Sequence, residues 1–144
     1  MFSLFDISAS GMEAQRLRMS VIASNLANVN TTRTATGGPY RRRDVVFAPV
    51  PQRSFGDILR ASYGGGDGTA AVRVQSIILD QRPFKYVHDP SHPDADADGY
   101  VAMPNINTVE EMVNMIAASR SYDANVTAFK ASRDMVLKAL EIGS

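Results

Sequence analysis

Residues 108–142 read TVEEMVNMIAASRSYDANVTAFKASRDMVLKALEI, without a glycine or a proline. Apolar residues recur three and four positions apart, which is the spacing of one face of an α-helix. Thr108 followed by Glu111 predicts a capping box at the start of this helix, and Gly143 predicts its end. At 1.5 Å per residue the helix is expected to be about 50 Å long. Its predicted seam consists of Met112, Met115, Ser119, Tyr122, Val126, Phe129, Arg133, Val136 and Leu140.

A shorter segment near the start of the chain, from Ser8 to Val29, has the same spacing and is expected to span about 33 Å. Its two heptad rows are Phe5, Met12, Met19 and Leu26, and Ser8, Gln15, Ile22 and Val29. This spacing predicts that the two helices pair as a coiled coil. They could close as a hairpin inside one monomer or bury their stripes against other subunits. Because the two lengths differ, part of the longer stripe is expected to need another partner.

The middle of the chain has turn and strand chemistry instead of helical spacing. Thr36-Gly37-Gly38-Pro39 predicts a turn, and Gly64 to Gly68 predicts a flexible tip. Strands are predicted at Arg43 to Phe47, Ala70 to Leu79 and Phe84 to Val87. The sequence therefore predicts an α+β fold, in which a small, irregular β subdomain is inserted between two long terminal helices. The predicted domains are a terminal-helix domain of residues 1–32 and 105–144, and a β-rich insert and linker of residues 33–104.

The composition excludes several classes of protein. The chain has 144 residues, enough for one domain, and 44% of them are apolar. Because it contains no cysteine, it has no disulfide, thiolate metal site or cysteine nucleophile. The formal net charge of zero argues against a general affinity for nucleic acid or anionic membranes. No run approaches the roughly 18 apolar residues of a membrane span. The first residues lack the basic and apolar regions of a signal peptide, so any export is expected to use another route.

An acidic loop precedes the second helix. Asp94, Asp96, Asp98 and Gly99 follow the opening of a calcium-binding EF-hand loop, but the position of its bidentate Glu is occupied by Asn105. A turn held by hydrogen bonds to the Asp side chains is the simpler interpretation. A calcium-responsive coiled-coil binding module remains the alternative function.

The other polar motifs have simple structural interpretations. His88 and His92 are separated by Pro90, which argues against a helical metal pair and favours exposed loop histidines. Arg41-Arg42-Arg43 is interpreted as a solvated loop, with a patch that meets acids of a neighbouring subunit as the alternative. No nucleophile stands with an activating base, and the glycine cluster lacks the Lys-Ser/Thr of a phosphate loop. The sequence therefore predicts neither an enzyme nor a cofactor.

Three segments resemble the flagellar rod and hook protein family. Residues 23–32, ASNLANVNTT, are similar to the signature that closes the N-terminal helix of that family. Residues 119–125, SRSYDAN, are similar to its C-terminal signature, in which the family often has Gln where this chain has Asp123. Residues 89–101, DPSHPDADADGYV, followed by Met103-Pro104-Asn105, resemble the proximal-rod members in particular. The signature residues are Asn25, Asn28, Asn30, Ser119, Arg120, Tyr122 and Asn125.

The resemblance implies a structural subunit of the bacterial flagellar proximal rod, located in the periplasmic part of the basal body. The terminal helices would polymerise into a hollow, torque-transmitting shaft with the β insert facing outward. Export would proceed through the flagellar type III apparatus without a cleavable signal. The implied partners are further copies of the chain, other rod proteins, the membrane-embedded basal ring and the export apparatus, and neither nucleic acid nor a membrane span is expected. The expected assembly interface consists of Met12, Met19, Ile22, Leu26, Val29, Met112, Met115, Tyr122, Val126, Phe129, Val136 and Leu140.

Two roles are open for the asparagines that close the first helix. Asn tolerates the left-handed backbone conformation, so Asn28 or Asn30 is a candidate cap for the helix. Asn25 or Asn28 is also a candidate for hydrogen bonds between subunits. The two roles are compatible.

Overall fold

The computed structural model describes residues 2–51 and 70–142. Within these ranges, two α-helices enclose four β-strands in chain order, so the predicted α+β fold is confirmed. The predicted tip from Gly64 to Gly68 and the predicted stop at Gly143 lie outside the described residues. The elements are α1 (Phe2–Ala27), β1 (Arg43–Pro51), β2 (Ala70–Leu79), β3 (Lys85–His88), β4 (Tyr100–Met103) and α2 (Thr108–Ile142).

The two helices lie side by side and antiparallel. Phe5 of α1 packs edge-on against Phe129 of α2, with ring centroids 5.1 Å apart. At the other end of the pair, Asn25 of α1 bonds to Glu111 of α2. With 26 and 35 residues, the helices are about 39 Å and 52 Å long. The mismatch in length predicted from the sequence is therefore present.

The start of α2 differs from the predicted capping box. The Asn107 side-chain oxygen accepts a hydrogen bond from the backbone N–H of Val109 at 3.1 Å. Asn107 is therefore the N-cap residue, and Thr108 is the first residue of the helix. The Glu111 side chain is fully buried and bonds to groups of α1 and the insert. The capping-box prediction is wrong because this carboxylate has stronger partners elsewhere.

The described part of the insert contains two antiparallel two-stranded sheets, β1 with β2 and β3 with β4. The β1–β2 register runs from Arg43 opposite Leu79 to Pro51 opposite Ala70, with an irregularity between Val46 and Phe47. Strand β1 is longer than predicted, since prolines are tolerated on an edge strand. Strand β3 begins one residue later than predicted, and its partner β4 was not predicted.

The β1–β2 hairpin packs on α1. The Ser10 hydroxyl accepts a hydrogen bond from the backbone N–H of Val72 at 3.2 Å, which joins the helix to β2. The buried apolar residues come from both helices and from the residues between them: Ala14, Val21, Ile22, Tyr40, Ala71, Val101, Ile106 and Ala118. No helix in the described ranges is long and apolar enough to cross a membrane.

Candidate functional site: the helix seam, its polar cluster and the outer face

One row of the α2 seam lies one residue earlier than the sequence predicts. The buried residues of this helix are Glu111 and Ala118, and the Asn125 side chain lies against Gly11 of α1. Four members of the predicted row are exposed and therefore lie outside the seam: Met112, Ser119, Arg133 and Leu140. Val126 is half-buried at the margin. The other predicted row is half-buried and consists of Met115, Tyr122, Phe129 and Val136.

The same displacement occurs on α1. Ile22 and Ser8 of the second predicted row are buried, and Gln15 and Val29 of that row are half-buried. Beside them, Gly11 and Asn25 contact α2, and Phe5 of the first predicted row contacts it through Phe129. Residues of the first predicted row lie half-buried at the margin of the pair: Met12, Met19 and Leu26. Apolar spacing could not reveal this seam, because one row on each helix is small or polar.

A buried carboxylate joins the end of α1 to the start of α2. Glu111 is 0% exposed and accepts hydrogen bonds from Arg42 Nε at 2.7 Å and Asn25 Nδ2 at 2.8 Å. Asn25, also 0% exposed, donates to the carbonyl of Arg43 and accepts from the N–H of Arg43, at 2.9 Å and 3.0 Å. Asn25, Arg42 and Glu111 are called the polar cluster below. It satisfies a buried charge with an opposite charge and a neutral donor.

Arg42 is held by further acids and by an asparagine. Its Nη1 lies 3.1 Å from an Asp44 carboxylate oxygen and 3.4 Å from one of Asp80. Its backbone N–H donates to the Asn105 side chain at 2.9 Å, and Asn105 in turn donates to the carbonyls of Asp80 and Arg82. Burial alone lowers the pKa of Arg42, but the Glu111 and Asp44 carboxylates outweigh it and hold the pKa above its ordinary value. The guanidinium therefore stays charged inside the protein.

The prediction of a solvated Arg41–Arg43 loop is wrong for its central residue. Arg42 is buried, because the acids described above replace its water. The Arg41 guanidinium lies over the Phe84 ring at 4.2 Å, and that of Arg43 lies 5.5 Å from the centre of the Tyr40 ring. Sequence reasoning missed the cluster, although one signal was present: Glu111 stands on the same helix face as Met115.

The closing asparagines act within the chain in two different ways. Asn28 Nδ2 donates to the carbonyl of Ser24 at 2.8 Å, and Asn28 Oδ1 accepts from the Thr31 hydroxyl at 3.1 Å. Within residues 2–51 and 70–142, only glycines have a positive φ, so neither Asn28 nor Asn30 caps α1 in a left-handed conformation. The left-handed explanation of the cap is wrong, and the Asn28 side chain closes the helix instead. Asn30 is exposed, and Asn25 belongs to the polar cluster.

The acidic loop is a hydrogen-bonded turn, as predicted. Asp96 Oδ1 accepts from the backbone N–H groups of Asp98 at 3.1 Å and Tyr100 at 2.8 Å. Asp94 accepts from the Thr32 hydroxyl at 2.8 Å and lies 3.6 Å from Arg33. These carboxylates are directed at the protein itself, and the part of the chain that is described contains no group of three His, Cys, Asp or Glu residues placed to hold a metal. The calcium-module alternative is not supported.

The two histidines lie on either side of the first turn of this loop. His88 is the last residue of β3, where its ring packs edge-on against Tyr100 at 5.1 Å. His92 Nδ1 accepts a hydrogen bond from the backbone N–H of Asp94 at 3.1 Å. Each ring therefore has a local structural contact, and His88 belongs to a strand instead of the predicted loop.

The outer face of α2 is apolar and exposed. Four residues at helical spacing near its start are 53% to 69% exposed, and we call them the outer stripe: Val109, Met112, Val113 and Ile116. Toward the end of the helix, Met135, Leu137, Leu140 and Ile142 are also exposed. The signature residues Ser119 and Arg120 are exposed as well. Exposed apolar residues grouped in this way are typical of a protein–protein interface.

Comparison with known proteins connects both helices to one assembly. A family described as "Flagella basal body rod protein" matches residues 5–33, which include most of α1 and its closing asparagines. A family described as "Flagellar basal body rod FlgEFG protein C-terminal" matches residues 97–142, which include α2. The flagellar basal-body rod protein FlgC of Borreliella burgdorferi is 46% identical over 99% of this chain and 97% of its own length. The chain belongs to the FlgC family.

Other FlgC proteins agree over almost the whole chain. That of Bacillus subtilis is 44% identical over 99% of this chain and 97% of its own length. That of Salmonella typhimurium is 41% identical over 99% of this chain and 98% of its own length. The predicted relationship to the rod family is confirmed, and the chain is a structural rod subunit of the flagellar basal body.

Proposed function

We propose that this FlgC-family chain builds the proximal part of the rod by polymerising through its terminal helices. Its function is geometric: repeated copies form a hollow shaft that transmits torque and leaves a channel open. In this proposal, the terminal-helix domain of residues 1–32 and 105–144 forms the shaft, and the insert of residues 33–104 faces outward. The half-buried residues at the seam margin and the outer stripe together provide the contacts between subunits.

The outer stripe is the observation that carries this proposal. Residues such as Met112 and Ile116 are more than half exposed in a single chain. Burying an apolar side chain of this size is favourable by roughly 1.5 to 3 kcal/mol, so the stripe favours association. The polar seam row is the reason that the stripe exists. Because Glu111, Ala118 and Asn125 occupy the face toward α1, the neighbouring apolar residues are left on the outside.

The proposed surroundings follow from the family. The partners are further copies of the chain, other rod proteins, the membrane-embedded basal ring and the flagellar export apparatus. The proposed location is the periplasmic rod, reached through flagellar type III export without a cleavable signal. In this role, the chain has to bind its neighbouring subunits in one fixed arrangement.

A charge in the outer stripe tests the proposal. We expect Ile116→Asp to abolish swimming when it replaces the chromosomal gene, because a carboxylate in a dry interface is costly to bury. Ile116→Leu, which keeps an apolar side chain of the same volume, is expected to swim normally. Far-ultraviolet circular dichroism of the purified chains checks that both variants keep their helices. Normal swimming by a folded Ile116→Asp variant would contradict the proposal.

A further inference from the structure

We propose that the polar cluster selects the register of the antiparallel helix pair. Apolar burial alone selects it poorly, because the inner row of α2 has an apolar or aromatic side chain at every heptad position. This row consists of Met115, Tyr122, Phe129 and Val136, which are all half-buried. Sliding one helix along the other exchanges one set of apolar contacts for another at little cost.

Two contacts far apart on the helices agree on one register. Asn25 meets Glu111 at one end, and Gly11 meets Asn125 at the other. The two positions on each helix are fourteen residues apart, which is two heptads. A slip of one heptad, about 10.5 Å along the axis, therefore breaks both contacts together.

The receiving side of the cluster cannot slide with α2. Asn25 is tied to both backbone polar groups of Arg43, and the Arg42 side chain is tied to Asp44 and Asp80 of the insert. After a slip of one heptad in one direction, Ala118 would stand in the place of Glu111. The donors of Asn25 and Arg42 would then lose their carboxylate partner inside the protein, which is strongly unfavourable. A slip in the other direction would bring Pro104, which precedes the helix, to the same place.

Register selection is distinct from stability. Replacing both partners of a buried ion pair by apolar side chains of similar volume often leaves a protein as stable as before. The double variant Arg42→Met/Glu111→Leu is therefore expected to keep its helix pair and to lose its preference for one register. This inference goes beyond the proposed function, since it concerns the single chain and can be tested without a rod.

Disulfide trapping in the full-length chain reports the register, because the natural sequence has no cysteine. An ideal Cβ at position 11 lies 2.9 Å from Asn125 Cγ, so Gly11→Cys with Asn125→Cys is placed to join in the native register. Two reporters detect slipped registers by combining Gly11→Cys with Ala118→Cys or with Ser132→Cys. Both of these reporters also carry Asn125→Ala, which removes the side chain that would collide with the cysteine at position 11.

The yields are compared after brief copper-catalysed oxidation, on non-reducing gels. With the polar cluster intact, and also with Glu110→Leu as the matched control on the exposed side of the same turn, we expect only the native disulfide. With Arg42→Met/Glu111→Leu, we expect the yield of a slipped disulfide to rise at least about tenfold. Even a modest loss of preference for the native register changes the ratio of the registers by that factor. An unchanged native disulfide without any slipped product would overturn the inference. Loss of all three disulfides would also overturn it, because the cluster would then hold the fold together instead of choosing among registers.

Discussion

At the scale of single residues, Asn25 connects the family signature to a physical role. Its amide fits between a fully buried carboxylate and the backbone of Arg43, and it donates to one and exchanges hydrogen bonds with the other. An amide can do this because it carries both donors and an acceptor. Asp or Leu at this position would lose the donors that Glu111 requires.

Asn25→Ala is expected to lower the free energy of unfolding by about 2 to 3 kcal/mol, because it leaves the Glu111 carboxylate and the Arg43 backbone groups with fewer partners inside the protein. Asn30→Ala, at an exposed signature position, is expected to change it by less than about 0.5 kcal/mol. Urea denaturation followed by circular dichroism measures both. Equal effects of the two substitutions would contradict the role given to Asn25.

The pH dependence of stability is expected to involve Asp80. The hydrogen bond from the Arg82 side chain is the main cause that holds the pKa of Asp80 below its ordinary value. Since the folded state then binds a proton less readily than the unfolded state, the stabilisation is present above about pH 4 and is lost as the pH falls toward the lowered pKa.

Asp80→Asn removes this titration, so its unfolding free energy is expected to fall less steeply than that of the natural chain between about pH 4 and pH 2. Asp6→Asn, at an exposed position of α1, serves as the control. Denaturant unfolding at a series of pH values gives the slopes. A slope for Asp80→Asn as steep as that of the natural chain would contradict this assignment.

At the scale of elements, the helices and one strand could be predicted from the sequence, and the detailed seam could not. Helical spacing without Gly or Pro located α2, and β-branched residues located β2 with its observed bounds. On α2, one seam row was predicted one residue too late, at Met112 instead of Glu111. Met112 was favoured because its side chain is apolar and that of Glu111 is not. Hydrogen bonds from Asn25 and Arg42 determine which of these two adjacent positions faces α1. Both donors are distant from α2 in sequence, so the spacing on α2 could not reveal them.

The insert was harder to predict for a similar reason. Strand β4 is four residues long, and it follows an acidic loop whose turn depends on backbone bonds to Asp96. Gly99, with a φ of +80°, has the left-handed conformation that this turn needs. The burial of Arg42 could not be predicted either, because it requires Asp44, Asp80 and Glu111 to meet in space.

Gly11 tests the packing of the helix pair. Alanine normally stabilises a helix relative to glycine by about 1 kcal/mol. Here a Cβ would lie 2.7 Å from Asn125 Oδ1, and Asn125 is held by a hydrogen bond to the Ser121 carbonyl. Gly11→Ala is therefore expected to lower the free energy of unfolding by about 1 kcal/mol instead of raising it.

The double variant Gly11→Ala/Asn125→Ala removes the colliding atoms. It is expected to be more stable than Gly11→Ala alone, as measured by thermal unfolding. The exposed substitution Ser20→Ala in the same helix controls for helix propensity. A stabilising effect of Gly11→Ala in the natural background would mean that the two helices do not approach each other at this point.

At the scale of the whole molecule, the polar seam and the apolar outer face belong to one arrangement. The single chain uses Asn25, Glu111 and Gly11 to align its helices, and its outer stripe is left for other chains. This division suits a subunit that has to present the same surface in every copy. The chain is a structural part of the rod, and we propose that the structures beyond it cannot be built without it.

Deletion of the gene in its own host, followed by electron microscopy of purified basal bodies, tests that claim most directly. Restoring the gene in the same strain controls for effects on neighbouring genes. We expect basal bodies from the deletion strain to end at the membrane ring, with neither rod nor hook, and restoration to bring both back. Complete flagella in the deletion strain would contradict the claim.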